Sequence, residues 1–221
     1  MYSKTTMKQR VILKGKDGLD LLHRISTIDL KRAKLNEKIV GLILNPQGKI
    51  RSAFQIVVLS GDEAEIEFED NFLEIVDQIT FGERYEILPL KLASTLQVPE
   101  RERIEKLIPK FGAEFSGDET TNPLEVNLRS SVHDDKGCYP GQEVLEKIIS
   151  LGSPSKKLCL LEGKLDNVKL PVALTGENGN EAGILTSYAE GVGLGIIKRT
   201  FLKENEKLFV GPEALTLRKI S

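Results

Sequence analysis

The chain has 221 residues, 40 % hydrophobic and 29 % charged, which gives room for one large domain or two modest ones and argues against long disorder. Its 31 Lys and Arg against 33 Asp and Glu leave a formal charge of -2, so overall charge offers no argument for nucleic-acid binding and no direct nucleic-acid partner is expected. No apolar run approaches the roughly 18 residues of a membrane span, and the start, MYSKTTMKQRVILKGKDG, lacks the apolar stretch of a secretory signal, so the expectation is a cytoplasmic protein with no membrane partner.

In chain order, KQRVILK at 8–14 reads as a short strand, and KDGLDLLHRI as a helix that turns Leu19, Leu22 and Ile25 inward. IVGLILN and IRSAFQIVVLS are β-rich runs joined by the turn signal PQGK, and together they predict a hairpin. AEIEFED alternates, with Ile66 and Phe68 on one face. NFLEIVDQITF carries a helical stripe of Phe72, Ile75, Val76 and Ile79. Pro99 opens PERERIEKLIPKFG, read as a helix with an acidic start and a basic end, on which RER at 101–103 is a solvated face. Strands and helices mix without a strict βαβ rhythm, which predicts an α+β class. Beyond LGSPSKK at 151–157 come KLCLLEG, PVALTG, AGILTSY, GLGIIKRTF and EKLFVG, short β-like runs that suit a small antiparallel barrel or sandwich. The expected organisation is an α+β domain over 1–152 and a β-barrel domain over 153–221.

Two cysteines, Cys138 and Cys159, make no disulfide framework. Neither sits in a Cys-x-x-Cys pair, and with two histidines no stably bound metal is expected. Cys159 lies inside an apolar run and reads as core; His23 reads as a surface or helix-end residue. GVGLG at 191–195 sits in a β-region without the strand-to-helix context of a phosphate loop. His133 and Cys138 suggest a hydrolase dyad, but nearness in sequence says little about geometry.

HDDKGCYPGQEVLEKII, at 133–149, carries the chemistry. Pro140 can take the first position of a helix that continues through GQEVLEKII, with Val144, Leu145, Ile148 and Ile149 turned inward. Cys138 then lies just outside the helix start and beside Lys136, and both helix-end N–H groups and a nearby cation favour thiolate over thiol. Spacing alone leaves two readings open: a reactive thiol, or a small residue filling a tight turn.

KGCYPGQE, Lys136 to Glu143, resembles the signature of the YgfZ family, folate-binding proteins related to the T-protein (aminomethyltransferase) of the glycine cleavage system. RISTIDL, with Thr27 and Asp29, resembles the family's early Thr-x-Asp segment. NPQGKIRSAFQIVVL resembles its Gly-Lys hairpin, RIEKLIP and NPLEVNL resemble the segments leading into the cysteine motif, and AGILTS resembles a strand of its C-terminal barrel. The resemblance implies an aminomethyltransferase-like folate-binding body, here shortened, followed by a small antiparallel β-barrel. It implies a role in assembling or repairing iron–sulfur clusters, with iron–sulfur enzymes (tRNA-modifying ones among them) or cluster carriers as partners. Cys138 is the functional thiol in that picture, with Lys136, Gly137, Tyr139, Gly141, Gln142 and Glu143 as its motif. Tetrahydrofolate is the implied ligand. Glu105 matches the glutamate that contacts the pterin, and Arg103, Glu125 and Asn127 join it as expected contacts.

Three departures matter. The hairpin run GKIRSAF, with Arg51, Ser52 and Ala53, has no carboxylate where the transferase relatives carry an aspartate, which argues against aminomethyl transfer. Leu107 replaces a family glycine, and Lys147 stands where many members carry arginine. Residues 80–102 alone bridge the place where relatives carry a second half-repeat, which implies a reduced pocket. Two alternatives therefore stand beside the accessory-protein reading: a tetrahydrofolate-dependent one-carbon transferase, and a non-catalytic interaction module that has lost folate.

Overall fold

The computed structural model describes residues 8–91 and 98–221. The described residues form two compact units: one takes in those of Met1–Thr95 with Ser116–Thr120 and Ser130–Glu146, the other those of Leu96–Phe115, Thr121–Arg129 and Lys147–Ser221. This division is interleaved and differs from a single cut at residue 152. The reason is packing: the segments around 104 and 125 bond and pack with the late strands, as described below.

The first unit is built on an antiparallel sheet of β1 (Gln9–Lys14), β2 (Lys38–Leu44), β3 (Ile50–Val58), β4 (Glu63–Phe68) and β5 (Glu86–Pro89), in the order β2-β3-β4-β1-β5. Strict alternation along β3 and β4 buries one face, and the register lays Phe54 opposite Phe68, Ile56 opposite Ile66 and Val58 opposite Ala64. α1 (Lys16–Ile25) and α2 (Phe72–Ile79) supply Leu22, Ile25, Phe72, Ile75 and Val76 to the same core. The β2–β3 hairpin, both helices and the α2 stripe follow the sequence expectation. β5 was not foreseen, because its EILP run is too short to show a period.

The second unit is a closed antiparallel barrel of β6 (Lys156–Glu162), β7 (Val172–Thr175), β8 (Glu181–Ala189), β9 (Val192–Lys198), β10 (Lys207–Val210) and β11 (Glu213–Ile220), in the order β10-β11-β6-β9-β8-β7. Cys159, fully buried beside Leu161, Leu174 and Leu215, is a core residue, and burial pushes its thiol up to about 12. α3 is only Glu100–Glu105, shorter than its sequence suggests. It stops because Leu107 turns left-handed at φ 54 and buries its side chain against Leu158, Val192 and Leu194. The backbone thus keeps a conformation that glycine takes freely, at a steric cost that burial of the leucine offsets.

Arg103 also departs from expectation: it is buried, not part of a solvated face. Its Nη1 donates to Glu114 (2.9 Å) and to the Ile108 carbonyl, its Nη2 to Glu100 and Ser187, and its Nε to Glu100. Glu114, 2 % exposed, also accepts from Lys110 N–H, Thr186 Oγ1 and Ser187 Oγ. Removing one charge from such a pair strands the other. Glu114→Ala is expected to lose about 3–5 kcal/mol of stability in urea denaturation, with Glu105→Ala, an exposed neighbour, losing less than about 0.5 kcal/mol.

Candidate functional site

Thr27 and Asp29, just after α1, organise the approach to the cysteine loop. Thr27 exchanges bonds with β2, its N–H donating to Leu42 O and its Oγ1 accepting from Leu42 N–H. The same hydroxyl donates to Ser131 O (2.5 Å), and Thr27 O accepts from His133 N–H. Asp29 N–H donates to His133 Nδ1 (2.9 Å), and its carboxylate closes the turn onto the N–H groups of Lys31 and Arg32. His133 is therefore oriented by Asp29. His23 is buried, contrary to its surface reading, with Nδ1 3.5 Å from Asp29 Oδ1; burial and the nearby Lys136 cation push its imidazole below the usual range.

Lys136 is 7 % exposed, and its ammonium donates to the carbonyls of His23 and Ser26 at the end of α1, where the helix dipole favours a cation. The Tyr139 ring covers it, 4.8 Å from Nζ to the ring centroid. Burial pushes its pKa down to about 8. This corrects the expected role: the charge of Lys136 is committed to the α1 carbonyls, and the lysine anchors the loop. Cys138 itself is exposed. α4 (Gln142–Ser150) begins four residues after it, because Pro140 and Gly141 form a turn ahead of the helix and Gln142 N–H closes on Tyr139 O. Thus the lysine makes its hydrogen bonds to α1, and the helix starts two residues later than Pro140 suggested. Of the stripe expected on α4, Leu145 is buried, Val144 and Ile148 are half-buried, and Ile149 is exposed.

Gly141 fixes the loop to the hairpin. At φ 82, a Cβ there would lie 2.5 Å from Asn45 O and 2.9 Å from Gly48 Cα, so only glycine permits this approach. Asn45 is the turn's own cap: its Oδ1 accepts from Gln47 and Lys49 N–H, and its Nδ2 donates to Glu119 (2.8 Å). Glu119 Oε1 pairs with Arg51 Nε at 3.1 Å. Asp70 accepts from Ser52 Oγ, Ala53 N–H and Phe72 N–H, each at 2.9 Å, and burial raises its carboxyl above the usual range. The hairpin run has no carboxylate of its own, yet Glu119 and Asp70 reach it from outside. Sequence reasoning missed Asn45, Glu119 and Asp70; only Asn45 carried a signal, as the asparagine opening a Pro-Gln-Gly turn.

The motif residues come together: Lys136, Gly137, Cys138, Tyr139 and Gly141 make one anchored loop, while Gln142 donates to Glu146 along α4 and Glu143 is exposed. The residues expected to contact folate belong to the second unit. All five N–H groups of Arg103 are engaged as described. Glu125 closes a capping box with Asn122 and accepts from Ser155 Oγ, and Asn127, at φ 60, donates to Leu107 O. Glu105 is exposed and paired along its helix with Arg101 at 2.8 Å. These residues do not form a complete folate cradle: Arg103 and Glu125 are committed within the fold, and only Glu105 and Asn127 keep acceptor oxygens at the surface. Among the described residues no three His, Cys, Asp or Glu side chains gather as a metal site, and no helix is long and apolar enough to cross a membrane.

No family model matches the chain. A chloroplastic protein of Arabidopsis thaliana, whose name places it provisionally among transferases, is 32 % identical over 98 residues. That stretch covers 42 % of this chain and 22 % of the relative, so the match spans about a fifth of that protein's length. The glycine cleavage system aminomethyltransferase T from Bartonella henselae superposes with a TM-score of 0.80 over 97 % of this chain and 84 % of that chain, at 13 % identity. The fold is aminomethyltransferase-like.

Two outcomes follow from the loop anchors. Gly141→Ala is expected to destabilise by about 1–3 kcal/mol in denaturant titrations. For Lys136, the folded state binds its proton less tightly than the unfolded chain, so stability rises with pH between about 8 and 10.5. Lys136→Met removes that rise, a difference of up to about 3 kcal/mol between the two proteins' pH–stability profiles.

Proposed function

We propose that this is an accessory protein of iron–sulfur cluster assembly or repair, working through the Cys138 thiol on an aminomethyltransferase-like scaffold. The observation that carries the reading is the exposed Cys138, held on a loop that Lys136 anchors to α1 and Gly141 docks on the hairpin. That much local order around one exposed thiol supports a presented group over a turn filler. Soft sulfur suits iron or a cluster fragment as cargo, and a single thiolate leaves the remaining ligands to a partner protein, a cluster enzyme or a carrier. The KGCYPGQE resemblance is what selects iron–sulfur chemistry among the uses of such a thiol.

Tetrahydrofolate enters as the ligand of the resemblance. Since Arg103 and Glu125 are engaged within the fold, the exposed Glu105 and Asn127 are the expected contacts left to meet a pterin. Recognition through these two side chains alone is weak, and calorimetry is expected to give a dissociation constant near 1 mM, about -4 kcal/mol. Micromolar binding would restore folate to the centre of the function.

The name of the Bartonella henselae neighbour favours a second reading, a one-carbon transferase, and the Arabidopsis relative's name agrees with it only as far as transferase. The three donors on Asp70 and the Arg51 pair on Glu119 oppose it, since neither carboxylate stands free as a general base. Turnover of an aminomethyl donor with tetrahydrofolate at a rate typical of a T-protein would establish it.

Cys138→Ser is expected to leave stability within about 0.5 kcal/mol of the wild type, because the residue is exposed. In cells lacking the protein, it should fail to restore the activity of iron–sulfur enzymes that the wild type restores. Full rescue by Cys138→Ser would end the thiol mechanism.

A further inference from the structure

A groove of about 670 Å³ in the first unit takes no part in the reading above. One wall is the start of β2, Lys38 to Val40; another is the segment from Ser130 to Lys136. β2 pairs with β3 on one side only. On its other side Thr27 meets Leu42 and Ser26 bridges Ile43, and this cover ends there. Leu42 turns its N–H and C=O toward Thr27, away from β3, and the same holds for every second residue of the strand. Val40 and Lys38 therefore direct their N–H and C=O outward, about 7 Å apart along the strand. Among the described residues those groups have no partner.

The facing wall carries donors without acceptors. Ser131 lines the groove, and its hydroxyl, which is not among the fully buried polar atoms, has no protein partner among the described residues. His133 uses Nδ1 to accept from Asp29 N–H, so its hydrogen is on Nε2, which likewise has none. A hydroxyl that opens onto the groove without a protein partner is available to donate to a ligand oxygen. Ala33 and Ile39, half-buried, add apolar surface. Acidic and basic side chains line the groove in equal number, which suits a ligand with a single negative group and disfavours a polyanion.

We propose that this groove binds an extended peptide ending in a free carboxylate. The peptide adds as a strand to the open edge of β2 through Lys38 and Val40, and Ser131 Oγ–H and His133 Nε2–H receive its C-terminal carboxylate. Open strand edges recruit peptides through main-chain bonds, and the carboxylate contacts set which end is recognised. The partner is thus a protein with an extended, accessible C-terminus. The proposal is independent of folate and of Cys138.

The test uses the full chain labelled with nitrogen-15 and two pools of random hexapeptides, one ending in a carboxylate and one in an amide. With the acid pool, the Lys38 and Val40 amide signals are expected to shift and to exchange with solvent more slowly. The amide pool should bind about tenfold more weakly, the loss of one hydrogen bond to a charged group. Ser131→Ala should bring the acid pool down to the amide level. Val40→Pro removes an outward N–H without touching the β2–β3 ladder and should abolish binding; if that variant does not fold, the acid–amide comparison on the wild type decides alone. Three results would overturn the proposal: no response at Lys38 and Val40, equal affinity for both pools, or shifts confined to Ser131 and His133 that sodium acetate reproduces.

Discussion

The cysteine loop depends on one close approach. Asn45 O lies 2.5 Å from where the first side-chain atom of any residue but glycine would stand at position 141, so hairpin and loop are locked at backbone distance. Asn45 reaches the other elements from the same point: its side chain shapes the turn through Gln47 and Lys49 and holds Glu119, which in turn holds Arg51. A single asparagine thus sets the geometry of three segments distant in sequence. Lys136 does the complementary job from below, tying the loop's other end to the last carbonyls of α1. Between these two anchors Cys138 has little freedom of position while its side chain remains in solvent.

The regular elements were legible because their periods are strong. β3 and β4 alternate without exception, and the α2 stripe falls at helical spacing. The barrel was legible as a series of short runs, although β11 was overlooked and closure cannot be read from strands singly. What failed was electrostatics at a distance. Nothing local marks Glu114 as the partner that draws Arg103 inward, or the ends of α1 as the destination of Lys136, since the bonded groups lie 11 to 113 positions apart. Neighbours in sequence suggested that Lys136 serves Cys138. Length explains the outcome: a lysine side chain reaches past its loop to the nearest cluster of unsatisfied carbonyls, and helix ends provide one.

The folate expectations show the same limit from the other side. Glu105, Arg103, Glu125 and Asn127 were singled out by position within segments that resemble a family, and residue type agreed. The structure gives three of them structural tasks: an ion-pair network, a capping box and a left-handed turn. A residue can keep its identity in a motif while its hydrogen-bonding capacity is consumed internally, and only a donor-by-donor account reveals the difference.

The interleaving of the two units bears on how the chain is made. Five times the backbone passes from one unit to the other, at 95, 115, 120, 129 and 146. During synthesis the sheet unit cannot close until residue 146 has emerged, because the cysteine loop supplies the cap on its hairpin. Arg103 and Glu114 can pair early, but the hydroxyls of Thr186 and Ser187 that complete their network arrive more than 70 residues later. Until β8 is in place, that ion pair stays hydrated, so burial of α3 must wait for the barrel strands. The protein is therefore a poor candidate for dissection at any single point: a cut near 152 yields a barrel without the helix that covers Leu158, Val192 and Leu194 and without the carboxylate that the Thr186 and Ser187 hydroxyls bond.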